Sequence, residues 1–525
     1  MPESDFRTLG RAPVLGRHGC VATSQVPASL VAIEVLRGGG NAVDAAIAAS
    51  AVLNVVEPHN SHLGGDAFAL IYLAKENRVV AINGSGAAPA AATLDRFGRG
   101  MPSDGLLTAT IPGEVDVWDT ALTRFGTRPL SELLQPAIAL AREGFPLSPR
   151  SAASLADHRD VLARYPSSAK FFLSQEPRMG VIRRQPELAD TLERIAAGGR
   201  DEFYCGETAL RIVRFCQANG GLFTEEDLAQ HHSEVLEPIA TTYRGYQLCE
   251  QPPVSQGIIL LEALNIVENF DLASLDPCDP QVVHLLVEAI KLGFADKRAY
   301  AGDPRLVAYP FGKIVSKDFA AARARDISAT RAMAAAASGR LSDTTYFCTA
   351  DKEGNAVSYI QSVFQGFGSR VVVEGTGILL NNRMAGFDLD PASPNCLAPR
   401  KRPIHTLNTY MVLRDGRPFL VGGTPGGDKQ VQTNLQVITA MVDFGLDVQE
   451  AIELPKWGHG GGVTLWVEPH MPAATGRGLR ERGHDLRLFG PWGQGCAVQL
   501  IRVDRDNDVF VAGSDRRADG CALGI

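Results

Sequence analysis

"GRLSDTTYFCTADKEGNAVSYIQS" occupies residues 339–362. From Thr344 the residues are β-branched or aromatic, Asp351–Asn355 has turn chemistry, and Ala356–Phe364 is a second strand-like run. The stretch reads as a β-hairpin. A strand in mid-chain needs no Asp-Thr-Thr entrance, whereas a buried amino terminus would. A threonine hydroxyl is a poor nucleophile until a base takes its proton. The α-amino group, with an ordinary pKa of about 7.7–8.0, is such a base when the threonine is first in its chain. Thr344 becomes first if its own hydroxyl attacks the Asp343 carbonyl and the resulting ester hydrolyses. Read alone, the two threonines fit plain strand residues better; the neighbouring stretches change the balance.

Upstream, "FAAARARDISATRAMAAAAS" (319–338) has no firm apolar stripe and reads as a weak helix or a loose tether, which suits a linker that is cut. Downstream, "VGGTPGGDKQ" (421–430) lies between the strand-like "RPFLV" and the helix-like "VQTNLQVITAMVDFG". Glycines at such a junction let backbone N–H groups converge on an anion, as an oxyanion hole requires. A phosphate loop or a plain tight turn are the alternatives; neither G-K-[ST] nor G-x-G-x-x-G occurs, so the nucleotide reading is weak.

The rest of the chain sets limits. Its 525 residues are 45% apolar and 21% charged, with a net charge of −8. That is an ordinary globular composition with ample core. No basic block is present, so neither nucleic acid nor an anionic membrane is an expected partner. The first residues, "MPESDFRTLGRAP", do not read as a signal peptide. "AVDAAIAASAVLNVVEP" reads as a buried helix and not as a membrane span. Nine cysteines without a C-x-x-C fit free thiols in a reducing cytoplasm, the expected location. Residues 105–330 read mostly as helices, and strands dominate the last third. Cys348 falls on the face of Thr344 in a regular strand, where core packing is the stronger reading. His59, His62, His231 and His232 lack a ligand partner at metal spacing, so no metal or other cofactor is expected.

In "GGNAVDAAIAA", "EPHNSHLGGDAFAL", "QPPVSQGIILLEALNIVENFD", "EAIKLGFADKRAYAGDP", "TTYFCTADKEGNAVSY", "GILLNNRM", "KRPIHTL" and "GTPGGD", in that order and across nearly the whole chain, the sequence resembles the γ-glutamyltranspeptidase family. The resemblance implies an N-terminal-nucleophile hydrolase: a four-layer αββα sandwich with an additional helical region in the larger subunit. It also implies one precursor, cut between Asp343 and Thr344 into a large subunit (1–343) and a small one (344–525) that remain one folded unit, with a dimer of such pairs as a further possibility. Thr344 matches the nucleophile, Gly426 and Gly427 the oxyanion-hole glycines, and Ser362 a threonine that usually bonds the nucleophile.

The family's glutamyl-recognition residues are mostly replaced. Its carboxylate-clamping arginine falls on Ser85, its amine-holding acid on Gly386, a helping asparagine on Phe364, a serine pair on His405 and Thr406, and a glutamine on Arg383. The pocket thus loses its amino-acid clamp and gains one cation. A small amide with a carboxylate near the scissile carbonyl fits such a site, since Arg383 can bind the carboxylate in bidentate fashion. Arg383, His405, Thr406 and Phe364 are therefore the expected substrate-binding residues, the partners being a small amide and water. His405 either lines the pocket or hydrogen-bonds the substrate. Within the family this pattern points to hydrolysis of oxamate, in purine nitrogen salvage. The alternatives are a γ-glutamyl hydrolase or transpeptidase acting on glutathione, a cephalosporin-acylase-like enzyme, and, in another class, a non-catalytic binding relative.

Overall fold

The computed structural model describes residues 10–98, 100–335 and 343–525. Two seven-stranded sheets, antiparallel throughout, lie face to face. In chain order their strands are β1 (Val14–Gly16), β2 (Gly19–Ala22), β3 (Asp66–Leu73), β4 (Arg78–Asn83), β5 (Glu234–Leu236), β6 (Ile239–Tyr243), β7 (Tyr246–Glu250), β8 (Asp343–Asp351), β9 (Ala356–Phe364), β10 (Tyr410–Arg414), β11 (Arg417–Gly423), β12 (Gln499–Asp504), β13 (Val509–Ser514) and β14 (Ala522–Gly524). One sheet has the order β14-β2-β8-β9-β3-β4-β5, the other β1-β13-β12-β11-β10-β7-β6.

Alternation along β8 and β9 assigns the layers, because successive side chains point to opposite faces. Tyr346, Cys348 and Ile360 enter the core between the sheets, with Phe68, Met411, Val421 and Ile501. Phe347, Val357 and Tyr359 point outward, under α1 (Val26–Arg37), α2 (Ala42–Val56) and α3 (Glu114–Phe125). The outer face of the other sheet packs on α4 (Gly257–Val267), α5 (Pro280–Tyr300) and α6 (Lys429–Val442). The result is an αββα sandwich with a further helical region between Gln135 and Ala229, as the motifs imply. Helix α2 is buried along its whole length, which its alanines permit. A reciprocal cap starts it: the Asn41 side chain accepts from the Val43 and Asp44 N–H groups, and Asp44 accepts from Asn41 N–H.

Two features depart from the sequence reading. Residues 234–250 form three strands, not helix; they are short and only partly buried, so little apolar patterning marks them. Among its described residues, the Ala-rich stretch is helical only within Lys317–Ala324. Beyond it the chain is pinned by backbone bonds, Ala332 N–H to the Arg482 carbonyl and a bridge between Ala335 and Gly462. Residues 336–338 of that stretch lie outside the described residues, as do 339–342.

Candidate active site

Thr344 stands second on β8, where the register slips between Asp343 and Thr345. Thr344 and Thr345, as successive strand residues, face opposite sides of the sheet. Thr345 Oγ1 turns outward and lies 2.6 Å from Ser24 Oγ, which donates to buried Glu57 at 2.6 Å. Burial raises the Glu57 carboxyl above its ordinary value. Thr344 is buried facing the other sheet, and its hydroxyl donates to Ser362 Oγ at 3.2 Å. Ser362 Oγ in turn donates to the Asp343 carbonyl at 2.8 Å and accepts from the Phe364 N–H at 2.7 Å.

The glycine loop comes from the other sheet. β11 ends at Gly423 and α6 begins at Lys429, so Gly426 and Gly427 fall at the strand-to-helix junction. Both have left-handed φ angles, +121° and +62°. A side chain at Gly426 would meet Cys496 Sγ, since a β-carbon there would lie only 2.3 Å away. Gln256 ties the loop down by donating to the carbonyls of Thr406 (2.5 Å) and Gly427 (3.0 Å), and Lys297 bonds both Gln256 and Asp428. Thr344 and Gly426 line one cavity of about 360 Å³, together with Glu57, His59, His158 and Asp343. Burial and neighbouring His158 hold His59 down at about 3, so its imidazole is neutral. A hydroxyl, a carbonyl with a donor on it and a glycine loop at the same cavity are parts an acyl transfer can use.

The other expected residues sit one strand further on. Asp66 on β3 is paired with Ser362 across the sheet. Arg383 is wholly buried, and its Nε donates to Asp66 Oδ2 at 3.2 Å. Its guanidinium lies over the Phe364 ring, 4.6 Å from the centroid, while Nη1 and Nη2 have no hydrogen-bond partner. Burial raises the Asp66 carboxyl to about 6, against the opposing pull of Arg383. His405 Nε2 is 2.7 Å from Ser85 Oγ, and its Nδ1 is unpartnered. Burial, with Arg383 and Arg402 nearby, holds His405 far below its ordinary value, hence neutral. Phe364 has φ +82°, a strained conformation for a bulky residue. Arg383, Phe364, His405 and Thr406 do not line the Thr344 cavity itself. Cys348 packs in the inter-sheet core.

Sequence reasoning missed Asp66 and His158. Asp66 lay in a quoted motif, but its partner Arg383 is 317 residues away, so no local signal marked the pair. His158 sits just after a short helix in the helical region, where no local pattern marks it. Ligand atoms of His284, Glu288 and His484 lie within 4.8 Å of one another, a possible metal group. Several of its atoms bond within the protein: the imidazoles bond each other through His284 Nδ1 and His484 Nε2, and Glu288 accepts from Lys291 and from Met333 N–H, while His484 Nδ1 has no partner.

The γ-glutamyltranspeptidase family model matches residues 28–525. The chain belongs to the γ-glutamyltranspeptidase family. Among its relatives, the glutathione hydrolase-like YwrD proenzyme of Bacillus subtilis is 38% identical over 98% of this chain and 99% of the relative. The oxamate amidohydrolase proenzyme of Klebsiella pneumoniae is 35% identical over 97% and 98%. Among solved structures, the cephalosporin acylase from Bacillus halodurans superposes with a TM-score of 0.94 at 35% identity, covering 100% of this chain and 99% of that one. As a member of the γ-glutamyltranspeptidase family, the chain is an amide-bond hydrolase of the N-terminal-nucleophile class. Among the described residues, no helix is long and apolar enough to cross a membrane.

Proposed function

We propose that the protein cleaves itself between Asp343 and Thr344 and then hydrolyses a small carboxylated amide, best exemplified by oxamate, through an ester on Thr344. In each turn the Thr344 hydroxyl adds to the amide carbonyl, and its proton passes to the α-amine. The C–N bond breaks, and the leaving nitrogen takes that proton and departs as ammonia. Water then splits the oxalyl ester, releasing oxalate and restoring the hydroxyl. The N–H groups of the Gly426–Gly427 loop are the proposed donors to the developing oxyanion.

One observation carries the choice of substrate: the two terminal nitrogens of Arg383 are buried without a partner. Buried donors of this kind are costly unless something pairs with them. Asp66 takes only Nε, and Phe364 covers only the guanidinium face, so the Nη edge is left for a planar carboxylate. Ser85 and Gly386, standing where the family clamps an amino acid, fit the same reading.

The test compares ammonia release from oxamate and from neutral oxamide on self-cleaved enzyme. Arg383→Gln should lower kcat/KM for oxamate at least about 30-fold, the loss expected for a buried charge pair worth about 2–5 kcal/mol. Oxamide should be a poor substrate for the parent and should change far less. Asp66, already raised to about 6, would take up a proton once its partner is gone. Equal losses on the two amides, or better turnover of γ-glutamyl-p-nitroanilide, would replace this reading with the conventional glutamyl one.

A further inference from the structure

Asp343 is the residue whose carbonyl Thr344 would attack first, so it is an internal acyl donor. The ester formed in self-cleavage, Asp343 carbonyl carbon on Thr344 Oγ, has the same connectivity as the ester formed from a substrate. The Asp343 side chain therefore marks where a substituent on the acyl group can lie. Asp343 lines the Thr344 cavity. Beside Gly366 it stands next to His158: a β-carbon built on that glycine would lie 2.7 Å from both Asp343 Oδ2 and His158 Nε2. His158 is oriented by its other nitrogen, since Nδ1 donates to the Ser154 carbonyl at 2.8 Å. That leaves Nε2 to share a proton with a carboxylate. Burial raises the Asp343 carboxyl, against the opposing pull of His158, Lys429 and Arg370, and the Gly366 N–H faces it.

Self-cleavage places Asp343 at a free chain end, so its carboxylate can leave, whereas His158, Gly366, Lys429 and Arg370 belong to the body of the fold. We infer that the mature enzyme keeps an anion subsite there, distinct from Arg383, for a carboxylate separated from the scissile carbonyl by two carbons. The substrate class is the monoamide of a four-carbon dicarboxylic acid. This inference rests on the same acyl-threonine chemistry as the proposed function and adds a second, longer acyl group. The step balances in the same way: Thr344 Oγ bonds the amide carbon, the C–N bond breaks with the proton going to ammonia, and water hydrolyses the succinyl ester to succinate.

Self-cleaved enzyme is assayed for ammonia release from succinamate and from butyramide, its neutral counterpart of equal length. Succinamate should be preferred at least tenfold in kcat/KM. That preference should shrink at least fivefold in His158→Ala, or in His158→Gln if the alanine variant does not fold. No preference in the parent, or the same preference in the variant, overturns the inference. Oxamate, run alongside, separates the two readings. Loss of oxamate turnover with the His158-dependent succinamate preference intact sinks only the Arg383 reading, and the reverse sinks only this one. If neither acid is hydrolysed, calorimetry with succinate decides. Binding that His158→Ala weakens supports the subsite, and no binding overturns it.

Discussion

Ser362 uses its hydroxyl three ways: it accepts from Thr344 Oγ1 and from the Phe364 N–H, and donates to the Asp343 carbonyl. In the uncut chain that last bond falls on the carbonyl Thr344 would attack, so Ser362 is the proposed oxyanion donor for maturation. Removing one such donor costs about 10²–10³ in comparable sites. Ser362→Ala should therefore slow appearance of the 344–525 fragment at least tenfold, while Ser362→Thr keeps the hydroxyl and should process normally. Thr344→Ala should stay a single chain. Timed gels with amino-terminal sequencing of the small fragment check all three; rapid cutting of Thr344→Ala at the same bond would remove Thr344 from the attacking role. The threonine could be singled out in sequence only with help from other stretches, the glycine loop at 421–430 and the family motifs, since its own stretch reads as plain strand. The state of Arg383 could not be read there. The sequence marks it as an added cation, but its burial, its pairing with Asp66 and the ring of Phe364 over it come from chain segments hundreds of residues apart.

At the scale of elements, the site is a meeting of two junctions, the head of β8 from one sheet and the loop from β11 to α6 from the other. Gly426 shows how tightly the second is built. Its φ of +121° excludes a side chain on conformational grounds, and Cys496 Sγ excludes it sterically. Gly426→Ala should thus shift the loop's N–H groups and lower kcat about 10²-fold in processed enzyme. Adding Cys496→Ala should return only part of the loss, because it relieves the clash and leaves the φ strain. Full recovery in the double variant would mean that the clash alone mattered, and a normal kcat in the single variant would give the loop another role. The hairpin 343–364, the helices and this loop could be read from period and glycine placement. β5, β6 and β7 could not, because their residues are drawn into strands by pairing with distant β4 and β10 and not by their own pattern.

Across the whole molecule, strands from both sides of residue 344 alternate within each sheet. β8 and β9 lie between β2 and β3, and β13, β12, β11 and β10 lie between β1 and β7, so cutting one bond at the head of β8 leaves both sheets laced together. Within the outer helical layer, α3 is joined to α2 through a buried acid. Glu114, at the start of α3, accepts at Oε1 from Ser50 (2.7 Å) and Asn54 (3.4 Å) of α2, while Trp118 Nε1–H donates to Ser50. Its Oε2 has no partner, and burial pushes the carboxyl up from 4.5 to about 8. The folded protein therefore holds this proton more tightly than the unfolded chain does. Its stabilising effect is complete below pH 4.5 and is lost as pH rises towards about 8. Asp66, raised to about 6, slopes the same way, whereas His59 and His62, held near 3, slope oppositely below pH 6.5. A difference between variant and parent isolates Glu114 from these groups. Glu114→Gln keeps an acceptor for Ser50 but carries no titrating proton. Its melting temperature relative to the parent should rise steadily between pH 5 and pH 8, and scanning calorimetry at several pH values reads that difference directly. Parallel curves for the two proteins would mean that Glu114 is ionised in the folded state and that the buried junction between α2 and α3 tolerates its charge.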